Sequence, residues 1–174
     1  MLIGDPYKFA IIFDRVAAWN ASLSDNNGYF SFCIDGKLFP EIAINAILSV
    51  SVNDIRTSLI GIPVNETIYK MDKSTAIKAL YQLVYPDFES DDENDYRYLL
   101  STTDFTDNDN FIFAVEGECM VRILAAKLVY DFAESTHIFD DIEITDIAIE
   151  KSEIKSIINQ IDEVKQFFNN STNI

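Results

Sequence analysis

The chain has a single histidine, His137, and two cysteines, Cys33 and Cys119, in 174 residues. Zinc sites are built from clusters of Cys and His, and these three are too few and too widely spaced to form one. No Cys–His signature and no G-x-S-x-G elbow occurs, so the common nucleophilic hydrolase motifs are missing. Glycine is scarce and scattered, five in all, which leaves no Gly-rich loop to cradle a phosphate. The sequence carries no cofactor motif. No apolar run approaches the ~18 residues of a membrane-spanning helix. The N-terminus, "MLIGDPYKFAIIFD", lacks a basic region followed by a long apolar stretch and does not read as a secretion signal. A soluble, cytoplasmic protein is the expectation.

Positive charge is also scarce. There are 13 Lys and Arg against 29 Asp and Glu, for a formal net charge of -16. Nucleic acids and anionic membranes are polyanions and make poor partners for such a surface. A basic protein or a cation fits better.

What is present is apolar and aromatic. The composition is 48% hydrophobic and 13% aromatic, with 13 Phe and 8 Tyr. That excludes a disordered acidic tail and points to a β-rich core, because aromatics suit pleated, half-buried surfaces. The length suits one domain, residues 1–170, with 171–174 as a frayed tail. Cys33 and Cys119 both sit in apolar strand-like runs and read as buried free thiols, with a disulfide between them left open.

Local patterns give an antiparallel α+β outline. "YKFAIIFDRVAAW" (7–19) reads as a strand running into irregular chain. In "NNGYFSFCIDGKLFPEI" (26–42), Phe30, Phe32 and Ile34 alternate with Tyr29, Ser31 and Cys33. Asp35-Gly36 then supplies a hairpin turn, and Pro40 puts the return strand at an edge or end. Residues 44–61 read as a strand through Val52 followed by a short helix from Asn53 or Asp54 that stops at Gly61. "MDKSTAIKALYQLVY" (71–85) is a helix capped by Asp72 or Ser74, striped by Ile77, Leu80 and Val84, and ended by Pro86. Residues 96–102, 110–116, 119–130 and 142–149 read as strands, with Glu116-Gly117 as a tight turn. The last element is an amphipathic helix, with Ile154, Ile157, Ile158, Ile161, Val164 and Phe168 on one face. The predicted architecture is an antiparallel sheet with two or three helices packed on it.

Catalytic groups are sparse. His137 in "ESTHIFDD" could pair with a nearby Asp in acid–base chemistry, but it reads more simply as a loop or strand-end residue. "DFTDNDNFIFAVEGE" (104–118) is rich in carboxylates, yet an EF-hand started at Asp104 or Asp107 puts Asp109 or Ile112 where glycine is required. No resident metal is expected. A carboxylate-metal hydrolase using Asp104, Asp107, Asp109, Asp140 and Asp141 is the alternative enzyme reading.

The charge is regional. From Pro86 to Glu118 there are eleven acidic residues and one basic, Arg97, which accounts for ten of the sixteen net negative charges. "PDFESDDENDY" (86–96) alone holds six acids and no base. Such a run can be a solvated loop that aids solubility. It can equally be an electrostatic landing site for a basic partner, with interleaved aromatics as anchors. The candidate partner-binding set is Asp87, Glu89, Asp91, Asp92, Glu93, Asp95, Tyr96, Tyr98, Asp104, Asp107 and Asp109.

Three stretches occur in a familiar order: "GDPYKFAIIFD" (4–14), "GYFSFCIDGKLFP" (28–40) and "GECMVRILAAK" (117–127), followed by a strand and a final helix. They resemble the bacterial immunity protein 42 family of polymorphic toxin and contact-dependent growth inhibition systems. The matching positions are Gly4, Asp5, Pro6, Lys8, Phe9 and Ala10, then Asp35-Gly36, then Val121, Arg122 and Ile123. All read as scaffold. The resemblance implies a non-enzymatic cytoplasmic protein that binds one cognate toxin domain, as a monomer or a 1:1 heterodimer. Many such toxins are nucleases with basic clefts, which an acidic inhibitor can fill. An acidic nucleic-acid mimic aimed at a host DNA-binding protein is a third reading.

Overall fold

A computed structural model describes residues 1–22, 26–87 and 90–170. Side chains are described through residue 165. Phe168 and the 171–174 tail therefore lie outside the described set. No helix among the described residues is long and apolar enough to cross a membrane.

The first half builds a five-stranded antiparallel sheet. β1 (Leu2–Gly4), β2 (Phe9–Arg15), β3 (Asn27–Ile34) and β4 (Lys37–Phe39) follow in order, and β5 (Asn45–Ile47) also pairs with β3. The period-2 pattern seen in the sequence sets the register. Phe9, Ile11 and Phe13 face Ile34, Phe32 and Phe30, all of them buried. Asp35-Gly36 makes the β3–β4 turn with φ of 52° and 75°, a left-handed pair that Gly and Asp tolerate. β4 ends at Phe39, before Pro40, as a residue without an amide donor requires.

The "GDPYKF" stretch is the corner that ties this sheet together. The Gly4 φ is +92°, and a Cβ there would come within 2.4 Å of the Phe9 carbonyl. Asp5 accepts from the Tyr7 amide, while Pro6 and Lys8 carbonyls accept from Gly36 and Asp35. Two hairpins are thereby locked to one another.

α1 spans Leu48–Ile60. A strand through Val52 was expected, and the helix starts earlier. Leu48, Val52, Ile55 and Leu59 are all buried and lie on one helical face. That spacing outweighs the β-branched, alternating look of "ILSVSV". α2 (Glu66–Tyr69) is a single turn capped by Asn65. α3 (Lys73–Val84) is capped by Asp72, which accepts from the Ser74 and Thr75 amides, and it buries Ala76, Ile77, Leu80 and Val84.

Residues 96–102 are not a strand. They form a 3-10 turn, Tyr96–Tyr98, and a single bridge from Leu99 to Phe113. Tyr98, Leu99 and Leu100 are buried in succession, so the alternation a half-exposed strand needs is missing. α4 (Thr103–Thr106) is another single turn.

β6 (Asn110–Glu116), β7 (Met120–Lys127) and β10 (Thr145–Glu150) form a second antiparallel sheet in the order β10-β7-β6. Gly117 donates to the Met120 carbonyl, so the β6–β7 turn centres on Glu118 and Cys119, two residues beyond Glu116-Gly117. Cys119 is accordingly exposed, while Cys33 is buried, and both are free thiols. β8 (Val129–Asp131) and β9 (Thr136–Ile138) make a separate two-stranded ribbon. α5 (Lys151–Asn170) closes the chain on its isoleucine stripe, with Ile154, Ile157, Ile161 and Val164 buried. Among the described residues, three long α-helices and two single α-turns thus accompany antiparallel strands in two sheets and a ribbon.

The second sheet is covered on both faces. Ile112, Ala114, Ile123 and Ala125 join a core with the first sheet, α1 and α5. Phe111, Phe113, Val115, Leu124 and Ala126 join another with α3. This is why β6 reads as a continuous apolar run. Phe105 of α4 drives into the first core, 5.6 Å from Phe30 and 5.3 Å from Phe32 between ring centroids. Loss of so buried a ring costs about 3–5 kcal/mol. That fixes α4, and with it the carboxylates on either side.

Candidate partner-binding surface

The acidic segment is an excursion from the end of α3. The last carbonyls of a helix have no partner within it. Here Asn94 Nδ2 donates to the Val84 carbonyl and the Asp95 amide donates to the Leu83 carbonyl, each at 2.8 Å. The chain therefore leaves α3 and returns to the same turn. Within it, the Ser90 hydroxyl donates to Asp92 Oδ2 at 2.6 Å and accepts from the Asp92 amide at 3.0 Å. Asp87, Asp91, Asp92 and Glu93 are exposed. Glu89 and the adjacent Phe88 lie outside the described residues.

Asp95 has a structural task. It accepts the Arg97 amide and grips the guanidinium through Nε at 2.8 Å and Nη2 at 2.7 Å. Arg97 holds the Asp95 carboxyl below its usual value. The one base of this stretch is thus satisfied locally and leaves the loop's other acids unneutralised. Tyr96 is 57% exposed beside Tyr85, whereas Tyr98 is 6% exposed in the second core, where its hydroxyl accepts from Asn65 Nδ2. Tyr98 is thus a packing residue in this fold.

Asp104 and Asp107 flank Phe105 and are exposed. Partial burial, with Asp107 beside it, raises the Asp104 carboxyl above its usual value. A groove of about 470 Å³ runs from Ile47, Val50 and Asp54 to Asp104. It shares Asp54, Thr102 and Thr103 with a neighbouring groove of about 250 Å³ that reaches Tyr85 and Tyr96. Asp54 on α1 is thereby added to the acidic face, along with exposed Ile47 and Val50. No local signal in the sequence marks them, because α1 and α4 meet only in three dimensions.

Asp109 turns the other way. Its φ is 59°, and its Oδ1 lies 3.1 Å from His137 Nε2, while Tyr81 Oη lies 2.7 Å from His137 Nδ1. Burial pushes the Tyr81 phenol up to about 12, so it stays protonated. The Asp109 carboxylate only accepts, so His137 Nε2–H donates to it. His137 is a clasp between the ribbon, α3 and the 107–109 turn. Among the described residues, no three His, Cys, Asp or Glu side chains converge on a point where a metal would sit. Asp104 lies in α4 and Asp107 caps its end, Asp109 turns to His137, and Asp140 and Asp141 follow β9, so the carboxylates considered for a hydrolase do not gather three to a site among the described residues.

The family positions occupy the scaffold. Gly4, Asp5 and Pro6 form the corner described above. Arg122 on β7 is 8% exposed, forks onto Asp146 of β10 at 2.9 and 2.7 Å, and donates to the Tyr69 and Met71 carbonyls.

Fold and surface together define a small α+β protein that concentrates its negative charge around one helix end and one adjoining groove. The chain belongs to the immunity protein 42 family, whose model matches residues 1–164. Its fold is similar to a crystal structure of CdiI from Burkholderia dolosa, with a TM-score of 0.75 at 20% identity, covering 92% of this chain and 97% of that one. Among curated proteins, none matches this chain.

Proposed function

We propose that this protein binds and neutralises a cognate toxin domain of a contact-dependent growth inhibition or related polymorphic toxin system. Its acidic face covers a basic cleft on that domain, and a nuclease active site is the cleft that best suits such a face. A nuclease holds phosphates with Lys and Arg. Carboxylates at comparable spacing satisfy the same groups without offering a bond to cleave. Membership of an immunity family and the CdiI-like fold support the toxin as partner. The acidic face itself carries the reading: Asp87, Asp91, Asp92, Glu93, Asp104 and Asp107 are exposed, while Arg97 is engaged by Asp95.

The charge predicts the kinetics. Complementary potentials raise association rates by about 10–10³-fold and fade with salt. The test is a calorimetric or surface-based titration against the toxin domain encoded beside this gene, at two salt concentrations. Nanomolar binding that weakens with salt, with loss of the toxin's activity in the complex, is the expected result. Tight binding indifferent to salt would keep the inhibitor and remove the acidic face from it. Absence of binding would overturn the reading.

A further inference from the structure

The β8–β9 ribbon exposes an apolar patch that the fold does not use. Phe132 is 88% exposed, the highest value among the described large apolar side chains. It stands edge-on to Tyr130 with centroids 5.0 Å apart. Val129 and Ile138 are paired across the ribbon and are 60% and 37% exposed. Successive residues of a strand point to opposite faces. His137 and Tyr130 thus turn to Tyr81 and Phe111, and Val129 and Ile138 turn away from them. Phe132, edge-on to Tyr130, extends that aromatic face past the clasp at the turn of the ribbon, while Val129 and Ile138 lie on the opposite face.

Held rigidly, such a patch is a suitable anchor. The clasp fixes the ribbon from two sides, through Tyr81 and Asp109. The rim is acidic: Asp131, Glu134 and Asp140 line a shallow hollow of about 370 Å³ beside it, and Lys78 in that hollow is 3.9 Å from Asp140. A second copy of this chain, at net charge -16, would bring like charge to like charge. A basic partner meets the complementary potential.

The patch also lies next to the acidic loop. Lys78 and Gln82 of α3 border the hollow, and Leu83 and Val84 carry the base of the loop. At 1.5 Å per residue, Lys78 and Val84 are about 9 Å apart along the helix. One partner domain can span both.

We propose that the turn of the ribbon is the apolar anchor of the toxin interface, with Phe132 inserted into the partner and Tyr130 edge-on beside it. This rests on the toxin-binding reading. The acidic loop then governs encounter, and the ribbon governs residence. In interfaces of this kind a few aromatic anchors carry most of the affinity, and their loss is read in koff.

The test is surface-based kinetics on the full chain with the adjacent toxin domain. Phe132→Ala is expected to raise koff by roughly tenfold or more, with kon, its salt dependence and the melting temperature unchanged. Val129→Thr with Ile138→Thr, on the opposite face and with β-branched residues kept in both strands, is expected to leave koff unchanged. Tyr7→Ala, at an 81% exposed aromatic of the β1–β2 corner, is expected to leave koff unchanged. Wild-type and Phe132→Ala proteins with equal koff would overturn the anchor while leaving toxin binding intact. Failure of the wild-type protein to bind would overturn the toxin reading first. A concentration-dependent dimer of the free protein, abolished by Phe132→Ala, would assign the patch to a second copy and overturn the proposal.

Discussion

The phenol of Tyr81 on α3 lies 2.7 Å from Nδ1 of His137 on β9, and the far nitrogen of the same ring lies 3.1 Å from Asp109. One imidazole therefore holds three segments, and the ribbon depends on it, since an isolated two-stranded hairpin is marginal in water. Tyr81→Phe removes this hydroxyl contact and is expected to cost about 1 kcal/mol, lowering the melting temperature by about 2–4 °C. Amide exchange should quicken selectively over 129–138. A uniform change across the chain would speak against the clasp.

Arg122 is the buried counterpart. Its guanidinium serves Asp146 and two carbonyls at once. Arg122→Ala leaves all three short of a partner, and urea unfolding should show a loss of about 3–5 kcal/mol. Arg122→Lys should recover only part, because an ammonium cannot fork onto a carboxylate and also reach both carbonyls.

Neutralising the loop should separate charge from fold. Asp91→Asn, Asp92→Asn and Glu93→Gln together remove three exposed charges without touching the Asn94 and Asp95 contacts at its base. Thermal stability is expected to hold. The association rate with the toxin domain should fall by about tenfold or more at low salt and converge on the wild-type value at high salt.

Asp104 should trade stability against binding. Its carboxyl is raised by burial and by Asp107, so ionisation at neutral pH works against the folded state. Asp104→Asn relieves this, and the melting temperature is expected to rise by about 1–2 °C. Affinity for the toxin domain should fall in the same variant.

Several other carboxylates run the opposite way in pH. Arg56 holds Asp162 low, Thr75 and the Ser74 amide hold Asp72 low, and Lys37 holds Glu143 low. A depressed folded value contributes stability in full above the ordinary carboxylate range, and that contribution is lost as pH falls through it. The melting temperature should therefore decline below about pH 4. Arg56→Ala should blunt the decline as it removes the partner of Asp162.

Local chemistry explains which elements could be read in advance. Asp35-Gly36, the Asp72 cap and the isoleucine spacing of α5 each specify their structure within a few residues. α1 could be mistaken for a strand because Val50 and Val52 are β-branched, and only the burial of Leu48, Val52, Ile55 and Leu59 decides the matter. Residues 96–102 read as a strand because consecutive apolar residues are ambiguous, and in the fold Tyr98 and Leu99 bury in one core while Leu100 buries in the other. The acids of the candidate surface were legible as a charge count. Asp54 joins them through a helix-to-helix approach, and the Phe132 patch depends on a ribbon whose place is set by a remote tyrosine. Neither is written in a local pattern.

The acidic excursion is closed at its root by two hydrogen bonds to the final turn of α3. The fold contributes the root, and the residues beyond it contribute no core contact among those described. Loop-closure cost changes slowly with length, by about 0.6 kcal/mol per doubling. On the proposed toxin-binding reading, the described exposed acids beyond that root, Asp87 and Asp91 to Glu93, are exchangeable. Different residues at those positions would change the surface offered to the toxin domain while the two cores fold as before.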